Sequence, residues 1–469
     1  MKSIINTLKL TAALSTGIIM LSCSVQKHQP LEPHFPQSFR THSPQSDSMS
    51  IAPIHYKDFF KDTVLVALID KAVKQNNDFQ LALKQIEFAS MTYKQSKWGN
   101  LPKIDATIGS ASINRPAENN SGPSNGKKYQ EDYNSTVNIS WEADIWGKIS
   151  GIKEQTLADY LITQEAAKAV KTRLVSEVAT GYYNLLMLDK QLEISQENLS
   201  FAKQTNEILQ KQYKLGMINS LAVQQQEMAI EQIVKTIPAI ENAISVQENS
   251  LSALSGSMPD IVERKTGLDQ VHHPESLASG IPAELLSNRP DVKSGELNFK
   301  KSIASIHIAK VSMYPSLNIT AQGGLNALKT SNWFTLPGSL FGIATASLTQ
   351  PILNGKQLKT QYEQAKINSE MAEIQFKQSV LNAVSEVSDA LVAIEKLEQQ
   401  QKIGESLVEK ATKVVSNSVT LYQYAEATYL EVLLAQSNKL QSELDLAAIK
   451  TQRLNAITTL YRALGGGVQ

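Results

Sequence analysis

The chain has 469 residues, of which 45 are Lys or Arg and 45 are Asp or Glu, so its formal net charge at pH 7 is zero. This balance excludes the strongly basic surface that a nucleic-acid partner would require. Only 6% of the residues are aromatic and one is a cysteine. These counts favour long helices over an all-β fold, and they exclude an intrachain disulfide framework and a cysteine-cluster metal site.

The N-terminus has the layout of a secretion signal. Two lysines within the first nine residues precede an apolar run from Leu10 to Leu21, and Cys23 lies just beyond it. A run of about twelve apolar residues is too short to cross a bilayer and fits a signal-peptide core. We therefore expect residues 1–22 to be a signal peptide.

The sequence Met20-Leu21-Ser22-Cys23 resembles a bacterial lipobox. The resemblance implies cleavage before Cys23 and acylation of its sulfur and its new amino group, and more than one acyl chain is what stable anchoring requires. An incidental thiol is the alternative. From residue 24 to about Tyr56 the chain is polar and contains five prolines. Residues 23–60 are thus predicted to be a lipidated tether rather than a packed element.

The remaining chain consists of an internal repeat, with the same order of segments in two copies. Pro102 matches Pro315 at an offset of 213 residues, and Tyr213 matches Tyr422 at an offset of 209. The predicted divisions are a first repeat over 61–256, a connector over 257–284, a second repeat over 285–464 and a C-terminal tail over 465–469.

Each matched proline is followed by two short segments with alternating apolar residues, which predict strands. The four segments start near Ile104, Tyr133, Leu317 and Phe341. Four strands cannot close a barrel, and strand edges cannot face lipid because every backbone polar group there needs a partner. If the strands span a membrane, the chain must oligomerise, and three copies would supply twelve strands around a channel.

Each strand pair leads into a long helical arm that returns as a hairpin. The predicted arms and returns are Lys148 to Lys214 with Ser220 to Leu254, and Lys356 to Tyr422 with Thr428 to Leu464. Each arm has about 67 residues, or roughly 100 Å at 1.5 Å per residue, and each return has about half that length. Helical segments over 63–98 and 289–312 are expected to cover the other half of each arm.

Three local features of these helices give specific expectations. Asn219 and Thr428 are predicted N-caps, with Glu431 completing a capping box after Thr428. Pro238 predicts a kink or fray in the first return helix. A seam for a neighbouring helix is predicted along the second arm by seven apolar residues at helical spacing: Ile367, Met371, Ile374, Leu381, Val384, Leu391 and Ile394.

Five sequence words, spread over both repeats, carry a family resemblance. They are Trp141-Glu142-Ala143-Asp144-Ile145-Trp146-Gly147-Lys148, Asn288-Arg289-Pro290-Asp291-Val292, Tyr314-Pro315-Ser316-Leu317, Gln350-Pro351-Ile352-Leu353 and Tyr429-Leu430-Glu431-Val432-Leu433. In this order they resemble the TolC family of outer-membrane efflux ducts, in particular its lipidated branch that serves resistance-nodulation-division pumps.

The resemblance implies a mainly α fold with a small membrane β-barrel part. Duplicated long α-helical hairpins would form the α-barrel tunnel of a homotrimer, and four strands per chain would contribute to a twelve-stranded barrel in the outer-membrane lipid. The implied partners are a periplasmic adaptor and an inner-membrane pump. The implied function is that of a passive duct, with no catalytic group and no cofactor apart from the lipid at Cys23.

The same resemblance places the gate at the turn of the second hairpin. Glu426 would form a ring of three carboxylates, which favours cations, although the family's usual aspartate position matches Ala427 here. A solvated turn residue is the other interpretation of Glu426. Tyr422 and Tyr424 are gate candidates, since the family uses tyrosine hydrogen bonds to hold the tip shut, and helix packing is the alternative for both.

The adaptor-contact candidates are Gly216, Asn219, Ala425 and Thr428, two from each turn. Their capping role follows from the residues themselves, and adaptor contact follows only from the resemblance. His272-His273 lacks a third metal ligand at a useful spacing, so a solvated connector is expected there.

Two other functions remain open. The chain could serve as a duct for type I protein secretion, or as a lipid-anchored coiled-coil stalk without a transport role. The paired strand segments argue against a stalk, because a stalk has no use for them. An enzyme is not expected, since the sequence contains no nucleophile elbow, phosphate loop or ligand cluster.

Overall fold

A computed structural model describes residues 39, 50–114, 129–271 and 282–468. Cys23 and the pair His272-His273 lie outside these residues. The described residues form nine α-helices: α1 (Tyr56–Phe59), α2 (Thr63–Gln75), α3 (Asn77–Ser96), α4 (Lys148–Lys214), α5 (Ser220–Leu254), α6 (Leu285–Asn288), α7 (Pro290–Val311), α8 (Gln357–Gln423) and α9 (Tyr429–Ala463).

The four predicted strands are present and are longer than the alternating segments that indicated them. They are β1 (Lys103–Asn114), β2 (Gln130–Ala143), β3 (Ser316–Ala327) and β4 (Leu340–Thr349). The strands form one antiparallel sheet in the order β1-β2-β3-β4, so the strand pairs of the two repeats join side by side.

The sheet has one apolar face and one mostly polar face, and directly paired residues of antiparallel strands point to the same side. A row on the apolar face consists of Ile104, Ile139, Ala321 and Ala344. The adjacent row on the other face consists of Lys103, Ser140, Thr320 and Thr345. Ile104 is 67% exposed and Ile108 is 92% exposed, so the rest of the described chain leaves this apolar face open.

The helices are arranged around the two long arms, α4 and α8, which have 67 residues each. In one half of the molecule the packing order is α3-α4-α7-α8, and in the other half it is α5-α4-α9-α8. Each long helix therefore packs along its length against shorter helices that succeed one another, as the predicted lengths required. Among the described residues, no helix combines the length and the apolarity needed to cross a bilayer.

The expectation of an unpacked tether over 23–60 is wrong for its last residues. Ile51, Tyr56 and Phe59 are buried in the main core. Phe59 stacks on Tyr461 with ring centroids 4.1 Å apart, and the Tyr461 hydroxyl donates to the carbonyl oxygen of Ile54 at 2.6 Å. Aromatic residues near the end of a polar, proline-containing stretch were the signal for this packing, because buried aromatic side chains contribute large apolar areas.

The helical segment predicted over 63–98 is divided in two at Asn76. The Asn76 side-chain oxygen accepts the amide hydrogen of Phe79 at 3.0 Å and so caps α3. Its Nδ2 donates to the carbonyl oxygen of Leu254, the last residue of α5, at 3.0 Å. One asparagine thus begins one helix and satisfies the end of another.

The second repeat contains the same junction with different chemistry. Arg289, 213 positions after Asn76, is the N-cap residue of α7, and its Nη1 donates to the carbonyl oxygen of Ala463 at the end of α9. Beside each junction lies a glycine with positive φ, Gly256 in one repeat and Gly465 in the other. A Cβ on either glycine would lie 2.3 Å from a backbone carbonyl oxygen, so these glycines allow close backbone contact.

The seam predicted along the second arm is only partly buried within the chain. Leu391 and Ile394 are in the core and Val384 packs partly against it. The other four residues of the seam are exposed: Ile367, Met371, Ile374 and Leu381. The buried stripe of this part of α8 is instead formed by Phe376, Val380, Ala383 and Val387. The periodicity correctly identified apolar residues of α8, but it did not show which face of α8 packs against the other helices of this chain.

The predicted fray at Pro238 is absent, because α5 is continuous from Ser220 to Leu254. Pro238 is exposed on a helix of 35 residues, where the neighbouring turns keep the helical conformation despite the one backbone hydrogen bond that proline cannot form.

Candidate functional site

The two hairpin tips have the same backbone geometry, 209 residues apart. Gly216 and Ala425 both have positive φ, 71° and 60° respectively. The amide of the residue after each one donates to the carbonyl oxygen five positions back, Met217 to Gln212 and Glu426 to Leu421, at 2.9 Å in both cases. These are Schellman-type helix ends, for which a left-handed residue is required. Ala425 is therefore a non-glycine residue in a position that glycine prefers.

The return helices begin at the predicted N-cap positions, but the two caps differ. The Glu431 carboxylate accepts hydrogen bonds from the backbone amide of Thr428 at 2.6 Å and from the Thr428 hydroxyl at 3.1 Å. The glutamate half of the predicted capping box is therefore confirmed. Asn219 is the N-cap residue of α5 but makes no side-chain cap hydrogen bond. Its predicted capping bond is therefore absent, and only its position at the helix start matches the prediction.

The tips have a small apolar core of their own. Leu209, Tyr429 and Val432 are buried there, and they belong to α4 and α9, the helices that bring the two hairpins together. Tyr422 packs on the edge of this core with its ring 6.1 Å from that of Tyr429. Burial raises the pKa of both tyrosines, so both hydroxyls remain protonated donors.

The three gate candidates have different environments. The Tyr422 hydroxyl donates to Oε1 of Gln212 at 2.8 Å and so links α8 to α4. Tyr424 follows the end of α8 and is 75% exposed. Glu426 is exposed in the turn, and within the described part of the chain its carboxylate forms no ion pair. The structure thus brings Tyr422 into contact with the first hairpin and leaves Tyr424 and Glu426 at the surface of the tip.

Gln226 lies in the tip and was not singled out by its sequence pattern. It is fully buried in α5, its Nε2 donates to the carbonyl oxygen of Ala202 in α4 at 2.6 Å, and its Oε1 accepts the Tyr429 hydroxyl. A glutamine among several glutamines on a helix has no periodic signal, so only the tertiary contacts identify it.

The first family word forms the joint between the sheet and the first long arm. Asp144 accepts the backbone amides of Ile149 and Ser150, both at 2.9 Å, and caps α4 in place of Gly147, which has no side chain. Trp146 Nε1 donates to the carbonyl oxygen of Pro315 at 2.7 Å and ties this joint to the second repeat.

A pair of matching bonds lies nearby. Trp141 Nε1 donates to the carbonyl oxygen of Asn100, and Gln350 Nε2 donates to that of Met313, each at 3.0 Å. Asn100 and Met313 are 213 positions apart and Trp141 and Gln350 are 209 apart, the two offsets of the repeat. The sequence words in this region therefore serve as structural joints, one in each repeat.

The tip provides exposed turns and contacts between helices. Among the described residues, no three His, Cys, Asp or Glu side chains come together in a way that could hold a metal ion. An open sheet with an apolar face, long hairpins and a shared tip are features of a pore and its gate.

Comparisons with known proteins agree with this geometry. The outer membrane efflux protein family matches residues 68–257 and 281–466, one match for each repeat. Solvent efflux pump outer membrane protein SrpC of Pseudomonas putida is 27% identical over 446 residues, which cover 94% of each chain. Cation efflux system protein CusC of Escherichia coli O6:H1 is 26% identical over 414 residues, 88% of each chain.

A crystal structure of CusC has a TM-score of 0.84 to this chain at 25% identity, and the match covers 95% of this chain and 100% of that one. The predicted resemblance to TolC-like efflux proteins is thereby confirmed. The chain belongs to the outer membrane efflux protein family and is an efflux channel protein of the outer membrane.

Proposed function

We propose that this protein works as a homotrimer, a passive duct that carries substrates from an inner-membrane pump through the periplasm and the outer membrane. The observation that carries the proposal is the open, two-faced sheet. The outer edges of β1 and β4 have no strand beside them in the described chain, and an apolar sheet face with unpaired edges requires closure in lipid. Three copies of four strands supply twelve, an even number suited to a channel.

The helices support the same assembly. The packing orders α3-α4-α7-α8 and α5-α4-α9-α8 begin with α3 and α5 at one flank, and both end with α8 at the other. The seam residues Ile367, Met371 and Ile374 of α8 are exposed at one flank, and Phe88 of α3 is 75% exposed at the other. In a closed ring of three chains, α8 of one subunit would cover α3 and α5 of the next, which removes these apolar side chains from water.

The tip would be the gate of this duct. The Tyr422–Gln212 bond holds the second hairpin to the first at its end, and Tyr424 lies in the adjacent turn. Three exposed copies of Glu426 would create a ring of negative charge, which favours cations and raises a barrier to anions.

The two turns are also the proposed contact for a periplasmic adaptor. Gly216, Asn219, Ala425 and Thr428 are all exposed, and together they form the outermost part of both hairpins. Cys23 would carry the lipid that anchors the chain to the outer membrane, following the lipobox-like residues before it. We propose no catalytic role and no cofactor.

The test is assembly and conduction by the full-length protein. The purified protein in detergent should have the protein mass of three chains by light scattering, and its insertion into a planar bilayer should produce discrete channels. A monomer that never conducts would refute the duct and leave a stalk as the simpler function. Intact mass spectrometry of the wild type and of Cys23→Ala tests the lipid separately.

A further inference from the structure

The loop between β3 and β4 packs back onto the strands of the first repeat. This outer loop, residues 328–339, lies at the end of the sheet away from the long helices, because β1 follows α3 and β4 leads into α8 at the other end. The ring of Trp333 lies 5.4 Å from that of Tyr133 in β2, measured between centroids. An edge of the same ring is 3.4 Å from the place that a Cβ on Gly109 in β1 would take. The outer loop therefore crosses β2 and reaches β1.

These contacts lie on the apolar face of the sheet. Side chains two positions apart on a strand share a face, so Tyr133 and Ser135 point to the same side of β2 as Ile139. The Gly109 amide donates to Ser135 Oγ at 3.1 Å, which places Gly109 beside that face as well. Because Ile139 belongs to the apolar row of the sheet, Trp333 packs on the apolar face and not on the mostly polar one.

Strand β1 has a bulge at the point where this ring packs. Its pairing with β2 shifts register between Thr107 and Ser110, and Gly109 has φ of 80°. A left-handed residue in a bulge is usually a glycine, because glycine adopts positive φ without steric cost. The bulged glycine has no side chain of its own, and the ring of Trp333 covers it.

The outer loop has a defined conformation of its own. The amides of Asn332 and Thr335 donate to the carbonyl oxygens three positions back, at 3.0 and 3.2 Å. The Ser339 amide donates to the carbonyl oxygen of Thr335 at 3.0 Å, and the amide of Asn326 in β3 donates to that of Ser339 at 2.8 Å. A loop closed by these bonds presents its side chains in fixed directions.

The outer loop extends the apolar face of the sheet. Phe334 is 68% exposed and Leu336 is 66% exposed, and the ring of Phe334 lies 4.9 Å from that of Trp333. Leu340, the first residue of β4, is also exposed, and it pairs with Leu325 on the apolar face. The exposed apolar side chains of the loop and the apolar face of the sheet thus form one continuous surface.

The turn before Trp333 has the opposite character. Its four residues, 329–332, are polar or charged and all exposed. A polar turn beside aromatic and aliphatic side chains is typical of a segment at the boundary between water and lipid, where each part meets the solvent it prefers. Water on all sides would instead leave Phe334 and Leu336 in an unfavourable environment.

We propose that the outer loop lies outside the channel and contacts the lipid of the outer leaflet. Phe334 and Leu336 enter the lipid, and Trp333 is the positioning residue that holds the loop on β1 and β2. The outer loop is then a lipid contact and not a cover over the channel mouth. The lipid at the apolar face rests on the proposed twelve-stranded assembly, whereas the packing of Trp333 depends only on contacts within one chain.

Spin labels on the full-length protein test the proposal in vesicles of phosphatidylethanolamine and phosphatidylglycerol. Phe334→Cys carries the label in the apolar part of the loop, and Thr330→Cys is the matched position in its polar turn. Ile104→Cys reports the apolar face of the sheet. Oxygen is enriched in lipid and a nickel chelate stays in water, so the ratio of their accessibilities identifies the environment of each label. A sample without new cysteines measures any label at Cys23, the only native cysteine.

The oxygen-to-nickel ratio at Phe334→Cys should be several-fold higher than at Thr330→Cys and close to the ratio at Ile104→Cys. Trp333→Ala should make the Phe334→Cys label more mobile and lower its ratio, because the loop loses its contacts on the sheet. Trp333→Phe keeps an aromatic ring beside Tyr133 and should retain most of the wild-type behaviour.

Two results would overturn the proposal. One is a water-like ratio at Phe334→Cys beside a lipid-like ratio at Ile104→Cys, and the other is a Trp333→Ala protein in which the mobility and the ratio of the label are unchanged. A water-like ratio at Ile104→Cys would instead refute the lipid-facing sheet of the proposed function, and with it the lipid contact. The label mobility in Trp333→Ala would still decide whether this ring holds the loop on the strands.

Discussion

Arg289 donates a hydrogen bond to the carbonyl oxygen of Ala463 at 2.9 Å, from the start of one helix to the end of another. Asn76 makes the same kind of bond in the first repeat. Because arginine is charged, the second junction also includes Asp291 and Glu386, which accept from Arg289 at 2.6 and 2.9 Å. A cation at the C-terminus of α9 further stabilises the helix dipole there. The repeat thus has one neutral junction and one ionic junction.

The ionic junction predicts a dependence of stability on pH. Burial alone would raise the pKa of Asp291, but hydrogen bonds and charge from Arg289 outweigh burial and hold its pKa below the ordinary value. A carboxyl group with a lowered folded-state pKa adds stability above its unfolded pKa, and this stability is lost as the pH falls through the folded value. Asp291→Asn should therefore reduce the loss of unfolding free energy below about pH 4.

Urea unfolding midpoints from neutral to acidic pH measure this effect. Asp78→Asn is the matched control, since Asp78 occupies the equivalent position in α3 and is exposed. Its midpoints should follow the wild-type curve at every pH. If the Asp291→Asn curve ran parallel to wild type through the acidic range, the junction would not be a source of acid sensitivity.

The close backbone contacts beside both junctions predict a steric effect. Gly256→Ala and Gly465→Ala would each place a Cβ 2.3 Å from a carbonyl oxygen, that of Gln75 or Asn288, in a backbone conformation that disfavours alanine. Each substitution should lower the unfolding free energy by about 2–4 kcal/mol, measured by thermal or urea unfolding. Gly267→Ala is the control, because a Cβ at that position would have no other group within 4 Å and its φ is negative. Equal stability of all three variants would contradict the tight contact.

The tip predicts a stabilising change. Ala425 has φ of 60° at a position where the first hairpin has Gly216. Ala425→Gly should relieve about 1 kcal/mol of backbone strain and slow amide hydrogen exchange in this turn by roughly fivefold. The reciprocal change, Gly216→Ala, has open space around its Cβ and should destabilise the first turn by a similar amount through backbone strain alone. Faster exchange in the Ala425→Gly turn would disprove the strain.

Charge at the tip predicts ion selectivity. Glu426→Gln removes the proposed ring of three carboxylates and should reduce the cation-to-anion permeability ratio roughly two- to fivefold, since a nearby unit charge in water is worth about 1 kcal/mol. Reversal potentials in asymmetric salt measure this ratio in a planar bilayer. Glu409→Gln, at an exposed site in α8 away from the turn, is the control. A ratio that Glu426→Gln leaves unchanged would indicate that Glu426 is only a solvated turn residue.

Much of the fold followed from local patterns. The long arm Lys148–Lys214 and its return Ser220–Leu254 have the predicted boundaries, because helix length, caps and turns are local properties of the chain. The repeat offsets located matching turns, and the alternation of β1 to β4 indicated the strands. The family resemblance singled out the segment that ends in Lys148, which forms the joint between the sheet and α4. The sequence did not specify the hydrogen bonds of that joint.

The misses concern contacts between distant parts of the chain. Ile367, Ile374 and Leu381 have the spacing of a seam, yet they are exposed because α8 meets its intrachain neighbours through another stripe. Ile51 and Phe59 lie in a stretch that was expected to be unpacked, yet they are buried in the core. Periodicity records which side chains are apolar, but the neighbour that covers them depends on how helices are placed in space.

By itself, the sequence determined the duplicated hairpins, the four strands and the family, because hydrophobic period, capping residues and repeated words are encoded locally. Tertiary structure alone decided that Gln226 lies buried between Ala202 and Tyr429, and that Arg289 reaches Ala463. A polar side chain has the same local pattern in either environment. Its role is set when residues far apart in sequence come within hydrogen-bonding distance and exclude water.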